Sequence, residues 1–176
     1  MYPLLRLAKE FWVHRNAPDL GLFETHVSCH RCWPHDVDIW MELNNGRTLT
    51  LYDFGRLVLF RRIGIAPIMR AHGWTGTVAG VSVRYRRRVR MFDRIEMRTR
   101  LVGWDARFVY IEQGMWRDDT CTSHVLVRTA ITDRAGMVPT DEVARAAGAP
   151  HQSPPLPAWI AAWCQAEASR PWPPVL

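Results

Sequence analysis

Four carboxylates and a pair of asparagines crowd into the stretch from Trp33 to Arg56, and their types and spacing suit a reactive site. Asp38 and Glu42 can exchange protons or hold a water molecule for attack. Asn44, Asn45 and Gly46 follow and read as the opening of a helix. The first amides of a helix have no partner inside it and lie at the positive end of its dipole. An electron-rich oxygen brought to Asn45, Gly46 or Arg47 would therefore meet ready donors, and Gly46 permits close approach. Asp53 comes a little over two turns later, among apolar residues. A carboxylate there is costly unless it is paired, hydrogen-bonded or facing a cavity.

Each residue also has a plainer reading. Asn44 or Asn45 can simply cap the helix, and Asp38 can close a turn with its own backbone. Glu42 can be a solvated loop residue, and Asp53 can be one half of an ion pair with Arg56 or Arg47.

The elements that must position these groups follow from hydrophobic spacing. Leu4, Leu5, Ala8, Phe11 and Trp12 predict a first amphipathic helix ending near Asn16. Phe23 to Trp33 alternates as a strand that Pro34 closes. From Asn44 or Asn45 to Gly64, apolar residues cover most of a helical circumference, which predicts a helix buried on nearly all sides. A shorter helical piece spans Pro67 to His72. From Gly76 the period falls to two, with Val81, Val83, Tyr85 and Val89 alternating with Ser82, Arg84, Arg86, Arg88 and Arg90. Turns at Phe92-Asp93, Gly103-Trp104-Asp105 and Asp118-Asp119 predict hairpin-linked antiparallel strands up to Thr132. A helix from Thr140 to Ala147, a Pro-rich loop and a terminal helix around Trp159, Ile160 and Trp163 complete the chain, with an extended end from Pro171. A helix apolar all round followed by such strands predicts an α+β hot-dog arrangement, a curved antiparallel sheet wrapped around one long helix. The expected organisation is a single domain over 1–176, with an N-terminal helix in 1–20, the core in 21–148 and a Pro/Trp-rich extension in 149–176.

The 176 residues carry 48% hydrophobic and 23% charged side chains, which suits one globular core. No apolar run reaches the roughly 20 residues of a membrane span, and the first fifteen residues lack a signal-peptide pattern. The expectation is a cytoplasmic protein, with a peripheral membrane contact left open. The formal charge of +6 is almost all arginine, since Lys9 is the only lysine, and it favours anionic partners in general. Cys29 and Cys32 form a lone C-x-x-C in strand-like sequence with no second pair at zinc-site spacing. His26, His30 and Cys32 share a strand face, but half-buried strand residues account for them, and no metal site is expected.

The run Asp36-Val37-Asp38-Ile39-Trp40-Met41-Glu42-Leu43-Asn44-Asn45-Gly46-Arg47 resembles the D-x-D-x-x-x-H-[MV]-N-N-[GAV]-[RK] signature of hot-dog thioesterases of the 4-hydroxybenzoyl-CoA thioesterase-like group. Leu51 to Arg56, Val83 to Arg88 and Phe92 to Asp105 resemble the same group, closest to thioesterase superfamily member six and its bacterial relatives. The likeness covers roughly Thr25 to Gly148. It implies hydrolysis of an acyl-CoA or acyl-carrier-protein thioester by a homodimer, or a tetramer, without a resident cofactor, coenzyme A arriving as part of the substrate. Glu42 stands where the family usually has His, and Trp40 where plant-type members have Asn, so mechanisms built on those two residues do not transfer.

On this resemblance the expected catalytic groups are Asp38, Asn45, Gly46 and Asp53, with Glu42 a substitute base. Asn44, Arg47, Arg84, Arg86 and Arg88 are the expected substrate contacts, the arginines as a cradle for coenzyme A phosphates or an acidic carrier protein. The competing reading is a non-catalytic hot-dog module that binds acyl thioesters, Glu42 marking lost chemistry. Nucleic-acid binding is not expected, because no recognition motif or aromatic platform accompanies the arginines.

Overall fold

The computed structural model describes residues 3–174. The outer limits of the expected domain, 1 and 176, and the last part of the extended end lie outside the described residues. The chain begins with α1 (Leu4–Val13) and β1 (His26–Arg31), then a 3-10 turn at Pro34–Asp36 leads to α2 (Asn45–Arg62) and α3 (Ile65–His72). Four long strands follow: β2 (Thr75–Tyr85), β3 (Arg94–Trp104), β4 (Val109–Arg117) and β5 (Thr120–Thr132). The two-residue β6 (Met137–Val138), α4 (Thr140–Ala146) and α5 (Ala158–Ser169) complete the order.

The helix α2 forms where the sequence places it, because Asn44 Oδ1 accepts from the Gly46 and Arg47 amides at 2.9 and 3.2 Å. Such a cap is worth about 1 kcal/mol. Arg61 and Arg62 sit in the last turn, and Gly64 ends the helix at φ 75°. Its Leu51, Tyr52, Phe54, Val58 and Leu59 are buried in the concave face of the sheet. They meet Met97, Met115, Val125 and Val127 near the helix start and Leu101 and Ile111 further along. The helix is nevertheless not buried all round: Leu57 is exposed and Asp53 half-buried, so one side stays open.

The sheet is antiparallel with order β1-β3-β4-β5-β2, and β6 adds to β5. Here the structure corrects the expected run of hairpins. β2 and β3 follow one another in sequence but lie at different places in the sheet, β2 pairing with β5 and β3 with β1. The expected arginine stripe is corrected as well. β2 ends at Tyr85, and both Arg86 and Arg87 donate their amides to the Thr122 carbonyl, which turns the chain out of the ladder. Arg84 pairs with His124 on the convex face, whereas Arg86 to Arg90 lie in the connection to β3. The convex face is covered by α5, with Ile160 buried against Tyr110 and Leu126. Trp159 and Trp12 remain exposed, although the Trp159 ring packs edge-on against His124 of β5.

Helix α1 is held by a polar seam. Arg6 bonds the buried Asp36 at 2.6 Å, and the same carboxylate accepts the Trp33 amide at 2.9 Å. Glu10, also buried, lies 3.6 Å from His30 Nδ1, while His30 Nε2 and Ser28 Oγ are 2.9 Å apart. His14 packs edge-on against His26, whose Nδ1 accepts from Arg62 at 3.0 Å. Ser28, His30 and Glu10 have the order of a nucleophilic triad, but all three are buried in the α1–β1 seam away from the cavities along α2. His26, His30 and Cys32 do share the inward side; among the described residues no group of three or more His, Cys, Asp or Glu is arranged to hold a metal ion. No helix among them is long and apolar enough to cross a membrane.

Burial pushes His26 down to about 4 and His30 to about 3. An unfolded chain, with its histidines near 6.5, therefore takes up these protons first. The stability that their neutral forms contribute is complete above pH 6.5 and is lost progressively as the pH falls toward 4 and 3. Glu112, held down to about 2 by His124 and Arg100, contributes stability that is complete above its ordinary range and is lost only as the pH falls below it, so the interval from pH 7.5 to pH 5 stays clear. The urea midpoint should drop between pH 7.5 and pH 5, with a shallower drop in His30→Gln; a midpoint unchanged over that range would contradict the assignment.

Candidate functional site

Two cavities flank α2. The first, of about 180 Å³, opens at the helix N-terminus between Glu42, Asn45, Thr48 and the Arg86–Arg88 connection. Asn44 has taken the Gly46 and Arg47 amides for the cap, so the Asn45 N–H is the opening amide that the cap does not reach. Gly46 thus serves the cap rather than presenting its own amide. Glu42 Oε2 lies 2.9 Å from Arg88 Nε, and the arginines outnumber it, leaving a positive mouth at the positive end of the helix. Arg47 is not among the residues that line this cavity, and Arg84 is on the far side of the sheet.

Asp38 does not line the cavity. Its Oδ1 accepts the Trp40 amide at 2.9 Å, and its backbone N–H donates to the Glu42 carbonyl at 2.9 Å. The carboxylate closes a turn in which Met41 sits at φ 59° and Ile39, Trp40 and Met41 are exposed. Its place is that of a loop-shaping residue.

The second cavity, of about 230 Å³, is a groove between α2 and the edge strand β2, lined by Asp53, Arg56, Leu57, Phe60, Val78 and Thr129. Asp53 is paired with Arg56. Arg56 is buried and donates to Gln113 Oε1 at 2.7 Å. Gln113 Nε2 in turn donates to the Tyr52 carbonyl at 2.8 Å and to Thr99 Oγ1 at 3.0 Å. Burial raises the Asp53 carboxyl above its ordinary range, and this outweighs the opposing pull of Arg56. The result is a carboxylate held in one orientation at the mouth of a largely apolar groove, with an elevated affinity for protons.

The structure therefore brings Glu42, Asn45, Arg86 and Arg88 together and places Asp53 elsewhere. Eight residues separate Asn45 from Asp53, or about 12 Å of helix axis. Within one chain they cannot reach the same carbonyl carbon. Sequence reasoning found Arg56 as a partner for Asp53 but missed Gln113. Its signal was a polar residue in the inward register of β4, visible only once the pairing of that strand is known.

The family is decided by a match over residues 32–164 to the model of the thioesterase-like superfamily. The chain belongs to this superfamily. Protein THEM6 of Xenopus laevis is 41% identical over 80 residues, a match covering 46% of this chain and 39% of that protein. The chain thus spans less than half the length of this curated relative. Among solved structures, a DHNA-CoA thioesterase from Staphylococcus aureus superposes with a TM-score of 0.61 at 12% identity, covering 82% of this chain and 91% of that one. A protein assigned as an oleoyl thioesterase from Lactobacillus plantarum gives 0.65 at 13% identity, covering 77% and 55%. At these identities the likeness is one of fold, and it is the hot-dog fold expected from the sequence. Within this thioesterase-like superfamily, the departure at Glu42 now has a structural content, since its carboxylate is tied to Arg88.

The Asp53–Arg56 pair can be tested without any substrate. Replacing Arg56 by Met removes the guanidinium that pulls the Asp53 pKa down, so a carboxyl-carbon NMR titration should find Asp53 higher still. Arg56→Lys should stay nearer the wild-type value. An Asp53 titration unaffected by Arg56→Met would refute the coupling.

Proposed function

We propose that the protein hydrolyses acyl thioesters as a homodimer, with Asp53 activating the attacking water. The observation that carries this reading is the half-buried Asp53, oriented by Arg56 and raised in pKa at the mouth of an apolar groove. A carboxylate in that state can take a proton from water near neutral pH, the ordinary requirement of a general base. Glu42 does not line that groove; it lies at the helix N-terminus beside Arg88.

The 12 Å between Asp53 and the helix opening calls for a second copy. β2 is an eleven-residue edge strand with Val78, Val81 and Tyr85 exposed, a surface that natural proteins rarely leave unpaired. Pairing of two such edges would set the groove of one protomer beside the α2 N-terminus of the other. The thioester oxygen would then accept from the Asn45 N–H, a kind of donor typically worth about 10²–10³ in rate. Arg86 and Arg88 would take the phosphates of coenzyme A or the acidic surface of a carrier protein. No resident cofactor is needed, and the reaction is carried by water alone.

A non-catalytic module that binds acyl thioesters is the second reading, favoured by the one observation that Glu42 replaces His and is held by Arg88. Turnover of a panel of acyl-CoAs separates the two, since the module would bind without releasing free thiol.

Asp53→Asn should lower kcat by about 10²–10⁴ while leaving the dimer intact by light scattering. Asp38→Asn, which keeps an acceptor for the Trp40 amide, should cost far less. Because the base must be ionised, kcat/KM of the wild type should fall on the acid side of a pKa above the ordinary carboxylate range. Wild-type turnover in Asp53→Asn would remove Asp53 from the reaction.

A further inference from the structure

The Asp53 groove does not end at Phe60. Phe60 and Thr129 also line a third cavity, of about 50 Å³, which lies behind them between the end of α2, the sheet, α3 and α4. Its walls include Met69 from α3, Leu101 and Trp104 from β3, and Val143 and Ala147 from α4. The hydroxyl of Thr140, one of the few polar groups near it, is already given to the Asp105 carbonyl. A substrate chain that passes Asp53 therefore meets first a groove with a charged mouth, then a dry apolar end.

We propose that the acyl group taken by this site is a straight aliphatic chain of medium length, its end seated behind Phe60 in the cavity roofed by α3 and α4. The proposal rests on the thioesterase reading above and adds the substrate class. Two sizes support it. Phe60 lies seven residues beyond Asp53, or about 10 Å along the helix, so a short acyl group held at Asp53 would not reach the cavity. The cavity itself has about a third of the roughly 150 Å³ that admits benzene, enough for the last carbons of an alkyl chain and too little for an aromatic ring. A chain of about eight to ten carbons fills the groove and the cavity together. Ala147, at the C-terminal end of α4 and half-buried, closes part of the far wall, and Phe60 narrows the passage.

The test is kcat/KM of the full-length protein over straight-chain acyl-CoAs from acetyl to palmitoyl, with benzoyl-CoA beside them. The peak should fall at octanoyl or decanoyl, with benzoyl-CoA poorer by at least about tenfold. Ala147→Leu fills the cavity and should move the peak to shorter chains. Phe60→Ala widens the passage and should move it to longer ones, so the proposal stays testable if either variant folds poorly. Asp53→Asn should depress the whole profile without moving its peak. Preference for benzoyl-CoA, or a peak unmoved by both cavity variants, overturns the proposal. If no thioester is hydrolysed at all, the thioesterase reading fails, and binding decides the cavity separately. Decanoyl-CoA should then raise Tm above the value with coenzyme A in the wild type but not in Ala147→Leu; equal rises in both proteins overturn it.

Discussion

The close seating of α2 on the sheet at Gly55 governs the position of every group along this helix, because it sets how far a side chain from the sheet must reach. A Cβ at Gly55 would stand 2.6 Å from Thr99 Oγ1, 2.7 Å from Met97 Sδ and 3.2 Å from Gln113 Nε2. Any larger residue would have to displace the Thr99 and Met97 side chains. The gain is that Gln113 touches the helix backbone at Tyr52 and the Arg56 guanidinium at once. Every polar atom of its amide is engaged, as a buried amide must be to avoid a desolvation cost of about 1–3 kcal/mol. The orientation of Asp53 at the groove is thus inherited, through Arg56 and Gln113, from the packing distance between a helix and a sheet.

The same helix separates two electrostatic environments. Its N-terminus faces the arginine-rich connection after β2, where helix dipole and guanidinium charges have the same sign. That end suits an anion, and Glu42 lies there beside Arg88. Two turns further on, Asp53 has only one guanidinium beside it and is half withdrawn from water. Burial wins there, and the carboxyl keeps its proton to a higher pH.

Much of this was legible in the residues themselves. The limits of α2 follow from Asn44 as a cap and Gly64 as a left-handed stop, and the alternation of β3 and β5 marks their inward sides. What local pattern does not carry is the choice of strand partner. The β2 alternation reads on smoothly through Arg86 and Arg88, yet the Thr122 carbonyl captures two successive amides and ends the ladder at Tyr85. That contact joins residues more than thirty positions apart. Gln113 was missed for the same reason, since its role exists only when β4 lies under Gly55. At Asp38 the residue type alone left two readings open, since an Asp two residues before a Trp is as good a turn-closer as an acid, and the structure shows it closing the turn.

The Glu in place of His at position 42 reads differently once the helix is seen whole. A base at the α2 N-terminus would share its cavity with the Asn45 amide proposed to receive the thioester oxygen, and with Arg86 and Arg88. A base on the open flank of α2, at Asp53, avoids that competition but lies about 12 Å from the amide of its own chain. Such a layout becomes productive when two antiparallel copies bring the flank of one helix to the start of the other. The exposed β2 edge, running alongside that flank, is the surface through which this can occur. In the proposed dimer, Glu42 at one end of the helix and the raised Asp53 carboxyl at its middle would be parts of one arrangement, with charge recognition and proton transfer falling to different subunits.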